Sequence, residues 1–137
     1  MKKIVFLNLI ALSVILVSPS CGGKGGDPKP CSETALQVTT TPANGTTEPA
    51  APGPNFPLQV NITANLPSAG VSIEVKAEPD AGGSAFFTQT LPDVKTNISN
   101  FTITNTPSGA VSKVTITVTS KSCASNKWTG GYRYSKK

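Results

Sequence analysis

The stretch FPLQVNITANLP, Phe56 to Pro67, alternates without a break: Leu58, Val60, Ile62, Ala64 and Leu66 face one way, and Gln59, Asn61, Thr63 and Asn65 the other. Two more stretches behave alike. In GVSIEVKAEP (Gly70–Pro79), Val71, Ile73, Val75 and Ala77 oppose Ser72, Glu74 and Lys76. In VSKVTITVTSK (Val111–Lys121), Val114, Ile116 and Val118 oppose Lys113, Thr115, Thr117, Thr119 and Lys121. A period of two sends successive side chains to opposite faces of an extended chain, so each stretch predicts a strand with one buried and one wet face. Weaker versions of the pattern cover Ala35–Thr41, Ser84–Thr90, Thr96–Asn105 and Lys127–Ser135, which makes seven strands.

Proline placement agrees. Pro67, Pro79, Pro92 and Pro107 fall at the ends of these candidates, and Pro42, Pro49, Pro52, Pro54 and Pro57 share one long connection. None falls inside a candidate, as expected of a residue with no N–H for a ladder. Charged residues are 14% of the chain and aromatics 6%, and Thr, Ser, Asn and Val stand where a helical protein would use Leu, Glu and Lys. NLPSAGVS (Asn65–Ser72) and NTPSGAVS (Asn105–Ser112) echo each other, either by chance among turn residues or because two equivalent connections are present.

Seven short strands separated by turn signals resemble the immunoglobulin-like and fibronectin type III-like sandwiches, over residues 32–137. The resemblance is to the fold alone. Antibody-type domains carry a tryptophan on strand C against a central disulfide, whereas the single tryptophan here, Trp128, lies in the last strand candidate and Cys31 lies outside the strands. The expected fold is all-β, a seven-stranded immunoglobulin-like antiparallel β-sandwich; a small open barrel or a meander would carry the same pattern.

MKKIVFLNLIALSVILVSPSC, Met1 to Cys21, has a basic start, an apolar run from Ile4 to Val17 and the small, helix-breaking Ser18-Pro19-Ser20. That is the layout of a cleaved signal, too short for the ~20 apolar residues that span a bilayer. It resembles a bacterial lipoprotein signal peptide (residues 1–20). The resemblance implies that Cys21 becomes the first mature residue, with a diacylglycerol on its thiol and a fatty acid on its amine. It departs from the family at Ser18, where an apolar residue is usual, and at Pro19. Cleavage after Ser20 to release a soluble secreted protein fits the same small residues. Residues 21–31, rich in Gly and Pro, then read as a flexible tether. Gly22, rather than Asp, behind the cysteine resembles outer-membrane sorting. The implied location is the cell envelope, with the lipid anchor in the membrane.

With Cys21 lipidated, Cys31 and Cys123 remain, and an exporting route joins such a pair as a disulfide. Free thiols or a bridge between molecules are the alternatives.

Little points to chemistry. The chain has no histidine, so the commonest general base and metal ligand is missing. Neither a Ser-x-x-Lys motif nor a nucleophile elbow occurs. Glu78 and Asp80 beside a Gly-Gly turn suit a polar hairpin better than a calcium loop. The expectation is no enzyme, no cofactor and no metal. The net charge of +5 is scattered, without the basic stripe and interleaved aromatics of a nucleic-acid binder. What remains is binding of a protein or carbohydrate ligand. Trp128, Tyr132 and Tyr134 share one face of the last strand and offer a platform for a ring, unless they cover the core. In Phe86-Phe87 one ring must be core and the other exposed or covered by a loop, which adds Phe87 to the candidate face. The loop Thr41–Pro57 is a second candidate surface, although its Pro/Ala/Gly content predicts disorder. A structural subunit pairing through a sheet edge is the alternative to a binding or adhesion module.

Overall fold

The computed structural model describes residues 31–137; the expected signal peptide (1–20), the lipidation site Cys21 and the tether up to Pro30 lie outside the described residues. Seven strands form: β1 (Gln37–Thr41), β2 (Phe56–Ala64), β3 (Val71–Pro79), β4 (Phe87–Val94), β5 (Ile98–Ile103), β6 (Val111–Ser120) and β7 (Lys127–Ser135). They make two antiparallel sheets, ordered β1-β2-β5 and β4-β3-β6-β7, packed as an all-β sandwich. The alternating residues meet between them: Leu58, Val60 and Ile62 from β2, Val71, Ile73, Val75 and Ala77 from β3, Phe101 and Ile103 from β5, and Val114, Ile116 and Val118 from β6 are buried.

Two connections carry the chain from the three-stranded to the four-stranded sheet, β2 to β3 and β5 to β6. These are the two echoing segments, and they begin on Asn65 and Asn105, with φ of 62° and 61°. Left-handed backbone is unusual for a residue with a side chain, and asparagine tolerates it best. The shared Asn thus answers the same geometric demand at opposite ends of the sandwich.

Proline is less strictly terminal than the sequence predicts. Pro92 lies inside β4, which runs on to Val94 instead of ending at Thr90. The strand is an edge, and Pro92 falls where its pairing slips, between Leu91 opposite Ile73 and Val94 opposite Val71; there a missing donor is tolerated. Pro57 is the second residue of β2, paired with Thr102 of β5. β1 pairs only as far as Gln59, so no β1 neighbour lies opposite Pro57 to lose a bond.

The long connection from Thr41 to Pro57, expected to be without structure, is laid along the outer edge of β7 as a strap. The Gly45 N–H donates to Gly131 O (2.7 Å), Arg133 N–H to Thr46 O (2.9 Å), Glu48 N–H to Arg133 O (2.8 Å) and Ala51 N–H to Ser135 O (3.1 Å). Bridges at Thr47–Arg133 and Ala51–Lys136 are parallel. Composition misleads here because a backbone ladder needs donors at the right steps, not an apolar pattern. The donors are Gly45, Glu48 and Ala51, and every proline of the strap falls at another position.

Candidate functional site

β7 carries the predicted aromatic face. Its alternate positions, Lys127, Thr129 and Arg133, are exposed, so Trp128, Tyr132 and Tyr134 point inward. Tyr132 and Tyr134 are only 4% and 3% exposed, and Trp128 is half-buried against the core. Of the two readings of these three residues, platform or core cover, the second describes them: they line the core rather than stand open on the surface. The Trp128 ring lies over Gly130, where a Cβ would overlap. Phe86 and Phe87 are both half-buried and packed against the core.

The rings instead floor a cleft. Phe56 and Tyr134 stack with centroids 4.6 Å apart, and Tyr132 follows at 5.9 Å from Tyr134. The strap walls this row with Pro42, Pro49 and Pro52, enclosing about 420 Å³ at the end of the sandwich opposite Cys31. Tyr134 exchanges a buried 2.7 Å hydrogen bond with Thr106. The Tyr132 hydroxyl has no partner among the described residues. Burial pushes both phenols up, for Tyr132 with help from the nearby Tyr134 and the Glu48 carboxylate. Both are therefore neutral at physiological pH. Glu48 is the one charged residue in the lining. The cleft, lined mostly by proline, alanine and aromatic rings, suits a small apolar or aromatic group.

At the other end stands a polar clasp. Cys31 and Cys123 are joined as a disulfide, with Cα atoms 5.7 Å apart and a sequence separation of 92. Beside it Asn126 is 8% exposed. Its Oδ1 accepts from the Leu36 N–H (3.1 Å), and its Nδ2 donates to Glu33 Oε2 (3.0 Å) and Thr34 O (3.1 Å). The Ser122 hydroxyl donates to the other Glu33 oxygen. These donors, Ser122 first, hold the Glu33 carboxyl below its ordinary value of 4.5. Cys31, Glu33 and Cys123 form the only cluster of possible metal ligands among the described residues. Both sulfurs are spent on each other, and a metal needs the thiolate. Neither Asn126 nor Glu33 was marked by the sequence, since each pairs across some ninety residues without any periodic signal.

The acids beside the Gly-Gly turn are spent on cations: Glu78 pairs with Lys76 at 2.6 Å, and Asp80 accepts from Arg133 at 2.8 Å. No helix among the described residues is long and apolar enough to cross a membrane. No family model and no curated protein matches the chain.

Proposed function

We propose that this is a lipid-anchored, non-catalytic cell-envelope protein, acylated at Cys21, whose immunoglobulin-like sandwich serves as a binding or adhesion module. The observation that carries the reading is the cysteine arithmetic. Of three cysteines, the disulfide takes Cys31 and Cys123, and the one it does not use directly follows the apolar signal-like run. Two acyl chains on that residue give stable anchoring where one would not. The tether leads into the sandwich at the Cys31 end, which leaves the aromatic cleft and the strap at the end of the domain farther along from the anchor, free for a ligand. The fit of Gly22 to outer-membrane sorting makes that membrane the proposed address.

Metabolic palmitate labelling of the wild type against Cys21→Ser tests this. Label in the wild type and none in the variant is the expected result; equal labelling of both overturns it.

A second reading, a structural subunit that assembles through a sheet edge, is supported by a separate observation. Among the described residues, one of the four edges carries no covering segment, no proline and no charge.

A further inference from the structure

A sheet edge exposes unpaired N–H and C=O groups, and proteins that stay monomeric blunt such edges with cover, proline, charge or brevity. Three of the four edges here are treated in that way. β7 lies under the strap. β4 carries Pro92, followed by Asp93 and Lys95. β1 is five residues long, slips in register at Gln37–Val38 and runs into Pro42. β5, six residues long and regular in register with β2, has no covering segment among the described residues. It contains neither proline nor charge, and no charged residue occurs between Lys95 and Lys113.

The hydrogen-bond phase of β5 is fixed by its neighbour. The Ile62 N–H donates to Asn97 O at 2.7 Å. Residues of an antiparallel strand bond alternately to either side, so Ser99, Phe101 and Ile103 turn their backbone groups to β2. Ile98, Asn100 and Thr102 turn theirs outward. The side chains of these three are exposed, and Ile98, at 51%, is the most exposed large hydrophobic among the described residues. The Ile98 carbonyl accepts only from the Thr96 hydroxyl of its own strand end, at 3.2 Å.

We infer that β5 pairs antiparallel with β5 of a second copy of this chain, joining the two three-stranded sheets into one continuous sheet. This rests on the second reading above and goes beyond it by naming the edge and the occupant. A two-fold axis at Asn100 sets Asn100 opposite its counterpart, Ile98 opposite Thr102 and Ser99 opposite Phe101. In that register outward groups meet outward groups, exposed side chains lie beside exposed ones, and buried beside buried. A same-patch interface of this kind must tolerate its own charges. An uncharged strand does so, while offering nothing to attract a charged peptide of either sign. The chain's own segment nearest the domain, GGKGGDPKP, is too rich in glycine and proline to fill the edge.

The test uses the full chain purified in detergent, with molar mass measured by light scattering. The wild type is expected as two copies. Asn100→Lys, which sets like charges against each other at the axis, and Thr102→Pro, which removes an outward N–H but no bond to β2, each halve the mass with the disulfide intact. Thr90→Lys on the β4 edge keeps two copies. A single-copy wild type, or an Asn100→Lys protein that stays paired, overturns the inference. A photo-crosslinker placed at Asn100 in cells separates the layers. An adduct with a different protein overturns the second copy but leaves the edge as an assembly surface, whereas no adduct at all defeats both.

Discussion

The two ends of the sandwich are closed by different physics. At the Cys31 end, a covalent bond and the side chains of Asn126, Glu33 and Ser122 tie the segment ahead of β1 to the β6–β7 turn across most of the sequence. At the opposite end the strap is held by backbone hydrogen bonds to β7 and by prolines against a row of aromatic rings. The first closure answers to redox state and acidity. The second answers to shape. A domain closed in these two ways can lose one end while the core between β2, β3, β5 and β6 stays in register, and the perturbations below are chosen to separate them.

The largest effect is expected from Cys123→Ser. In the chain-entropy view, a cross-link spanning 92 residues contributes about 4–5 kcal/mol by constraining the unfolded chain. Urea unfolding of the variant should show that loss as a lower midpoint with a native-like β spectrum before the transition. An unchanged midpoint would mean that the polar side chains alone close this end. Gly131→Ala acts on the other closure: a Cβ there would overlap the Val114 carbonyl oxygen on the neighbouring strand. A cost of about 1–3 kcal/mol is expected. Amide exchange should speed up at Gly45 and Glu48 in the strap, while Leu36 at the Cys31 end keeps its protection. Equal loosening at both would show that the ends are coupled and the contrast false.

The smallest effect concerns acid. Hydrogen bonds from Ser122 and then Asn126 lower the pKa of Glu33, and the Lys121 ammonium lowers that of Asp93 at the same end. A carboxyl depressed in the folded state contributes stability above its unfolded value, and that contribution disappears as pH falls through the depressed value. Acidification below the ordinary values of 4.5 and 3.8 should therefore release the Leu36 amide first. The strap amides, which bond to the backbone of β7 and not to Glu33 or Asp93, should follow later. Strap amides exchanging first would reverse the assignment.

The sequence makes β2, β3 and β6 legible because each buries one face only, so period two survives intact from residue to residue. β4 is read short because Pro92 looks terminal, and only the slipped pairing opposite Val71 and Ile73 makes room for it. On β7 the even spacing of Trp128, Tyr132 and Tyr134 is visible at once. The direction of the rings is visible too, in the charges of Lys127 and Arg133 on the alternate positions. The strap hides because its ladder is made of backbone, and its prolines mask where the donors are. Asn126 hides for another reason: a turn asparagine looks the same whether it faces water or holds three groups from the far end of the chain.

The placement of the disulfide also decides how the molecule carries a load. A pull on the chain ahead of Cys31 does not run into β1, a short outer strand that would peel away one bond at a time. It passes through the sulfurs to Cys123 and so to the end of β6, which is paired along its length with β3 on one side and β7 on the other. Tension then acts along the strand axis, so that many bonds must shear together. The staple is thus also a force bypass, and reducing it would turn a fold that resists pulling into one that unzips.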